Sequence, residues 1–431
     1  MIRITASLSA IIVLLILMMS PKVGMSQASL DTYIQNALER NANLQNYHIE
    51  GEISSLETQK LKTQYEKPQW ALTGDYLLAP FFFNKGQVVA ITANPATKAI
   101  GYDAGITNGG LYSAQINVNY PVFTQKLSRP LVKQQELVRE NLSIQARQTE
   151  AGIRHQITTD YVNAFLLQQQ MDFVGELKTS LQEQSSFVRK LADRGIMRIT
   201  DLELLNLEIH NQDLQLQDLQ GQFRQAMLTL RSDAGVMDTT LTRLPAVDLR
   251  LNNATDRSVF LESYRLDSLS ADNDQAIFET RYTPQVNVFA NGGINAVELN
   301  NIYRKVGISA GIHVSWLIND GGQRDINAQQ NELRRLMAGN QATFSDLQIR
   351  NNRQNYQLLL EQNRRNVALF EEQLNGYEQL LTSYKQELAL GQISVVDYLN
   401  VVRIYRGLQQ QKIAMQTQLL LIINELNYWN N

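Results

Sequence analysis

Tyr112-Ser113-Ala114-Gln115-Ile116-Asn117-Val118-Asn119-Tyr120-Pro121-Val122 alternates its side chains as a strand does. Tyr112, Ala114, Ile116, Val118, Tyr120 and Val122 share one face, and Ser113, Gln115, Asn117 and Asn119 share the other. A period of two describes a half-buried strand, because successive side chains leave opposite sides of the pleat. A second stretch does the same: Val306, Ile308, Ala310, Ile312, Val314 and Trp316 oppose Gly307, Ser309, Gly311, His313 and Ser315. Shorter partner strands precede them, carrying Trp70, Leu72 and Tyr76 in one case and Val286, Val288 and Ala290 in the other. One apolar face ending in an aromatic residue, opposed by one polar face, is the pattern of a transmembrane β-barrel strand. In a soluble protein another layer must cover the apolar face. The rest of the chain offers only long, thinly apolar helices for that purpose.

Those helices are read from composition and period. Ser128 to Asp193 is rich in Gln, Glu, Leu, Arg and Val, with only two glycines. That is about 66 residues, or about 100 Å at about 1.5 Å per residue. Gly322 to Leu390 repeats it, and shorter helices are expected near Ile199–Asp233, Ser394–Trp429, Leu30–Glu66 and Asp256–Arg281. Ile153, Ile157, Tyr161 and Phe165, then Leu181, Val188 and Leu191, recur at helical steps, while the other faces carry Gln and Asn. A narrow apolar stripe on a very long helix means side-by-side, coiled-coil packing.

The chain is a duplication. Gly195-Ile196-Met197-Arg198-Ile199-Thr200-Asp201-Leu202 matches Gly391-Gln392-Ile393-Ser394-Val395-Val396-Asp397-Tyr398 at one offset (391 − 195 = 196), which also relates Ala114, Ile116, Val118 and Tyr120 to Ala310, Ile312, Val314 and Trp316. Pro68-Gln69 matches Pro284-Gln285 at a larger offset, so the first copy carries a connection about 20 residues longer between Tyr76 and Leu111. Phe81-Phe82-Phe83 in that loop either pack within it, the preferred reading, or anchor at a membrane surface. The expected division is a signal peptide at 1–26, a first repeat at 27–233, a linker at 234–255 and a second repeat at 256–431.

Composition removes other classes. The 431 residues carry 39 basic and 42 acidic side chains, a net charge of -3, and no cysteine. A mean hydropathy of -0.27 does not fit a bundle of transmembrane helices. Near-neutral charge removes the basic face that nucleic acid requires. The missing thiol excludes disulfides, thiolate metal sites and cysteine catalysis. His48, His155, His210 and His313 are scattered without metal-ligand spacing, and there is no Gly-x-Ser-x-Gly elbow or phosphate-binding glycine loop. Asn291-Gly292-Gly293 follows a strand but opens no helix, so it reads as a hairpin loop. No enzyme, cofactor or metal is expected. Arg3, an apolar block from Leu8 to Met19, Pro21 and small residues at Gly24 and Ser26 make a secretory signal peptide cleaved near Ser26.

Each chain thus supplies four membrane-type strands, too few to close a barrel. Open edges in hydrocarbon leave backbone groups unpaired at several kcal/mol each, so the edges must pair with other chains. Three chains would give twelve strands, within the range of closed barrels.

This pattern resembles the TolC family of outer membrane factors, the exit ducts of efflux pumps and type I secretion systems, over essentially the whole mature chain. Leu30-Asp31-Thr32-Tyr33-Ile34-Gln35-Asn36-Ala37-Leu38-Glu39-Arg40-Asn41 is similar to the family's first helix. Pro68-Gln69 and Pro284-Gln285 resemble its strand entries. Tyr120-Pro121-Val122-Phe123 and Trp316-Leu317-Ile318-Asn319-Asp320-Gly321-Gly322 resemble its strand-to-helix junctions, the apolar-Asp-Gly form being intact only in the second. The resemblance implies an α+β membrane protein: a homotrimer with a twelve-stranded outer-membrane barrel, four strands per protomer, continued by a long periplasmic α-helical barrel. It implies a Gram-negative outer membrane location and a passive channel, porin-like, in a tripartite efflux pump or type I secretion system. The partners implied are outer membrane lipid, a periplasmic adaptor (membrane fusion) protein and an inner-membrane transporter of RND, ABC or MFS type. The other reading is a periplasmic coiled-coil adaptor or structural protein, which needs no amphipathic strands.

The two glycine–aspartate turns resemble the family's periplasmic tips. Gly195 and Gly391 supply the backbone freedom of a helical reversal. Asp201 and Asp397 fall near the starts of the returning helices, where a carboxylate meets the positive end of the helix dipole. By resemblance, Thr200 and Asp201 match positions that hold the entrance closed, and Asp397 matches a carboxylate ringing it that attracts cations. Asn400 stands where a second ring aspartate is found, Leu388 where a gate tyrosine is found and Ile393 where a gate arginine is found, with Arg198 as a candidate replacement cation. By the same analogy Arg194, Gly195 and Ile196, with Leu390, Gly391 and Gln392, would meet the adaptor's helical hairpin.

Overall fold

The computed structural model describes residues 29–92, 94–102, 112–237, 241–255, 258–296, 299 and 301–431; the segment read as a signal peptide, 1–26, lies outside them. In chain order the elements are α1 (Leu30–Arg40), α2 (Ala42–Glu66), β1 (Gln69–Tyr76), β2 (Phe81–Asn84), β3 (Gln87–Ala90), β4 (Tyr112–Val122), α3 (Gln125–Asp193), α4 (Ile199–Asp233), α5 (Val259–Glu279), β5 (Gln285–Ala296), β6 (Val306–Ser315), α6 (Gln323–Ala389) and α7 (Val395–Trp429). The duplication is visible in the lengths: α3 and α6 have 69 and 67 residues, and α4 and α7 have 35 each. Among the described residues no helix is long and apolar enough to cross a membrane.

The described residues form two compact units, each drawing on both halves of the repeat: those within 45–148 and 258–348, and those within 29–44, 149–255 and 349–431. The first unit holds a four-stranded antiparallel sheet in the order β1-β4-β5-β6. The halves meet at β4 and β5, paired from Tyr112↔Ala296 to Val122↔Val286, which leaves β1 and β6 as the outer strands. Pro121 lies beyond the last β1 partner, where β4 has a strand on one side only, a position that tolerates a missing N–H.

Two local segments depart from what their sequence pattern predicts. Asn291-Gly292-Gly293 is not a hairpin loop but the middle of β5. The chain runs straight on because Gly293 lies against the Ala114 carbonyl, where any Cβ would collide; this is a close backbone approach that only glycine permits. The helix expected over Leu30–Glu66 is broken at Asn41, whose backbone is extended (ψ 117) and whose Oδ1 accepts the Leu44 N–H at 3.2 Å, capping α2.

The longer first loop contains the β2–β3 hairpin, turned through Lys85 and Gly86, both with positive φ, as a two-residue turn requires. Of its three phenylalanines only Phe81 is buried, its ring against Gly101, while Phe82 and Phe83 stay exposed. The packing reading holds for one ring of the three.

The second unit is held by helix-on-helix cores. Tyr33, Ile34 and Ala37 of α1 pack with Ile157, Tyr161 and Ala164 of α3 and with Phe223, Met227 and Leu230 of α4. A second core, toward the glycine turns, joins Val174, Leu181 and Val188 of α3 and Leu205 of α4 to Leu381 and Leu388 of α6 and Val395, Tyr398 and Val402 of α7. Along α3, which runs through both units, the buried residues Leu137 and Ile144 of the first and Ala151 and Thr158 of the second recur at seven-residue steps, the repeat of a coiled-coil seam. Pro130 falls in its early turns, and its carbonyl accepts from Asn273 at 2.9 Å.

Candidate functional site

Two places carry chemistry, and each is built from paired copies of one sequence. The first is the sheet. Register places Trp70, Leu72, Ile116, Val118, Ala290, Ile308, Ala310 and Ile312 on one face. Among the described residues nothing covers that face: Trp70 is 70%, Leu72 79% and Ile308 91% exposed. The opposite face is polar and tied across strands. The Asn117 amide donates to Thr73 Oγ1 at 2.7 Å, Ser113 Oγ donates to Asp75 at 2.9 Å, and Ser309 bonds Asn291. Aromatic residues mark both ends of the apolar face. Tyr76 and Tyr112 sit 5.3 Å apart at one end, and Trp70, Tyr120 and Trp316 stand at the other.

Beyond that second end lies the junction with α6. Trp316 Nε1 donates to the Tyr282 carbonyl at 3.1 Å, and the Tyr282 hydroxyl donates to Asp320. Asp320 also accepts the Gly322 and Arg324 N–H groups at 3.0 and 2.7 Å, so it caps α6. The Tyr282 hydroxyl, followed by these backbone donors, holds the Asp320 carboxyl below the usual carboxylate range. The first copy has Thr124 at the equivalent position. Its hydroxyl donates to the Tyr65 carbonyl at 2.8 Å and caps nothing.

The second place is the pair of turns, and the backbone of the two is the same. Gly195 (φ 73) follows α3; the Gly195 N–H reaches the Ala192 carbonyl and the Ile196 N–H the Leu191 carbonyl, both at 2.9 Å. Gly391 (φ 70) follows α6; the Gly391 N–H reaches Leu388 at 3.0 Å and the Gln392 N–H reaches Glu387 at 2.9 Å. Both are Schellman closures, with glycine in the left-handed position. The turns are neighbours, since a Cβ on Gly391 would touch Ile196 Cγ2 at 3.7 Å.

The expected site residues divide by burial. Asp201 is buried and accepts the Arg198 N–H at 3.3 Å, a capping role; the Arg198 Nε lies 3.8 Å from the same carboxylate. Asp397 caps its own helix through Ser394, which donates to it at 2.6 Å and accepts its N–H at 3.2 Å, yet Asp397 stays exposed, as does Asn400 one turn on. Thr200, Arg194, Ile196, Leu390 and Gln392 are all exposed. Leu388 is fully buried in the shared core and Ile393 packs on it, so both help to bind the two hairpins together.

One constellation was not expected. Glu208 of α4 is 2% exposed and meets Arg403 at 3.2 Å and Arg406 at 3.1 Å, both from α7, while Gln212 donates to it at 2.9 Å. The signal was present in the sequence. Leu205, Glu208, Gln212 and Leu219 form one buried stripe of α4, and two polar residues interrupt it.

No family model and no curated protein matches the chain by sequence. Solved structures do. The chain superposes on the outer membrane protein VceC of Vibrio cholerae with a TM-score of 0.68 at 14% identity, covering 92% of this chain and 96% of that one. Against the open state of the Neisseria gonorrhoeae MtrE outer membrane channel the TM-score is 0.68 at 14% identity, over 94% and 89% of the two chains. The Campylobacter jejuni CmeC outer membrane channel gives 0.67 at 12%, over 93% and 85%.

Proposed function

We propose, from a chain with the fold of these TolC-like outer membrane channels, that three copies form a passive exit duct in the outer membrane of a Gram-negative cell. The observation that carries this reading is the uncovered apolar face between two unpaired outer strands. Water does not tolerate a continuous apolar face of that size on a single copy, and hydrocarbon does not tolerate the free edges. A ring of copies in a membrane answers both demands. From Val306 to Ser315 strand β6 rises about 30 Å, which at a tilt of about 40° gives about 23 Å, close to the height of a barrel's apolar band. The aromatic residues at both ends then lie at the two interfaces.

On this reading the helices of both repeats, 27–233 and 256–431, extend into the periplasm on either side of the linker 234–255, and export follows a signal peptide at 1–26. The duct catalyses nothing; it receives cargo from an inner-membrane transporter through a periplasmic adaptor. Arg194, Gly195, Ile196, Leu390, Gly391 and Gln392, at the exposed ends of the hairpins, are the proposed adaptor contact. Asp397 is the proposed carboxylate ring of the entrance, flanked by Asn400, while Thr200, Asp201 and Arg198 order the neighbouring turn.

The test is fractionation of the cysteine-free full-length chain. The expected result is recovery with outer membranes as a detergent-stable oligomer whose mass in native mass spectrometry is three protomers. Recovery as a soluble periplasmic monomer would overturn the duct and favour the adaptor reading.

A further inference from the structure

The polar face of the sheet has one exception to its polarity. Its side chains are amides, hydroxyls, small residues, Pro121, Asp75 and His313; the single phenyl ring on it among the described residues is Phe289. Phe289 lies between Asn119 on β4 and Gly311 on β6. Its ring leans sideways onto β6. A Cβ added at Gly311 would stand 2.6 Å from Phe289 Cζ and 2.9 Å from Cε1. Gly311 is therefore the seat of the ring, and no larger residue leaves it in place. Phe289 remains 37% exposed.

Aromatic cover of a glycine on an outer strand stabilises that strand, and this accounts for the contact with Gly311. It does not account for an exposed ring in a field of amides. A Leu or Ile would cover the glycine as well and would present no π-face. Aromatic faces bind other rings and organic cations with an energy beyond their buried area, and the mostly amide and hydroxyl surroundings offer such a group no second phenyl face. Taking the duct reading as given, the polar face is the lumen, and three copies put three such rings at one level, toward the helical end of the barrel.

We propose that Phe289, seated on Gly311, is the specificity-determining contact of the barrel for amphiphilic cargo bearing an aromatic face. The rings retain such molecules briefly as they pass, while small polar solutes and ions meet the amides and hydroxyls, Asp75 and His313.

The experiment is planar-bilayer recording of the purified full-length oligomer, with tetraphenylphosphonium and tetramethylammonium as probes of equal charge with and without rings. Tetraphenylphosphonium is expected to block the wild-type current at concentrations about tenfold lower than it blocks Phe289→Ala, and tetramethylammonium to show no such difference. Phe289→Leu keeps the cover on Gly311 and removes the π-face, so it guards against a folding defect and is expected to behave like Phe289→Ala. Equal block of wild type and both variants overturns the proposal, as does a Phe289→Leu channel blocked as strongly as wild type. Absence of any channel from the wild-type oligomer overturns the duct reading itself, and the contact with it.

Discussion

The two halves of this chain share a backbone and differ in what they place on it. Both long helices end in the same Schellman closure, and both returning helices carry an aspartate three residues after their N-cap. Asp201 is buried on its own backbone; Asp397, in the same frame, is exposed beside Ser394. Farther from the turns the divergence grows. Glu208 in α4 corresponds to Ile404 in α7, and it is the neighbours of Ile404, Arg403 and Arg406, that answer its charge. Asp160 and Asp233 correspond to Tyr356 and Trp429. Duplication fixed the geometry of reversal, and the charges were then distributed so that one half complements the other.

The largest test of this division is Arg403→Ala with Arg406→Ala. It strands a buried carboxylate with only Gln212 beside it. Removing the partners of a buried charge costs about 3–5 kcal/mol, to be read as a lower denaturant midpoint of the purified chain. Glu208→Gln should cost less, because both arginines are partly exposed and can turn to water. If the double variant is as stable as wild type, the complementarity of the halves is only apparent.

Next come the glycines. Gly195→Ala and Gly391→Ala force the same left-handed geometry on a residue with a Cβ, at about 1–2 kcal/mol each. Equal losses in thermal melting sharpen the backbone equivalence; unequal ones break it. The aspartates should separate what the glycines share. Asp201→Ala is expected to cost about 0.5–1 kcal/mol as a lost cap, with little change in ion selectivity. Asp397→Ala is expected to reduce cation preference in single-channel recording, since the proposed trimer would set three such carboxylates around one axis, an arrangement that selects cations. Unchanged selectivity in Asp397→Ala would remove the ring assignment.

The smallest effect concerns protons. Burial first, and then the neighbouring Asp233, push the Asp160 carboxyl up to about 6. A folded-state pKa raised above the unfolded one makes the protonated form the stabilising one. Its contribution is complete below about pH 4 and is lost as pH rises through about 6. The wild type should therefore gain a few tenths of a degree to a degree more in Tm than Asp160→Asn on going from pH 7 to pH 5. An identical shift in both would show that the first half carries no proton-dependent pair after all.

Most of the fold could be read because its signals are periodic. Alternation in Tyr112–Val122 and Val306–Trp316, and the repeat that unites the halves, survive any local exception. The failures were single residues whose role depends on a partner distant in sequence. Gly293 looked like a turn because its reason for being glycine, the Ala114 carbonyl, lies on another strand. Asn41 breaks a helix by capping the next one, a choice that helical propensity alone does not show. At the turns the glycines were legible, and so was the capping position of the aspartates. The difference in exposure between Asp201 and Asp397 was not, because it is set by neighbouring side chains. The Glu208 clamp was legible only as a fault in an apolar stripe.

The order β1-β4-β5-β6 has a genetic consequence. A ring built from it joins β6 of one copy to β1 of the next, a head-to-tail contact in which every copy uses two different edges. A chain damaged at one edge still enters the ring through the sound one and then prevents closure. In a three-membered ring made from equal amounts of sound and damaged chains, only about one ring in eight is free of damage. Loss of one edge is thus expected to be dominant, whereas loss of the whole chain is recessive.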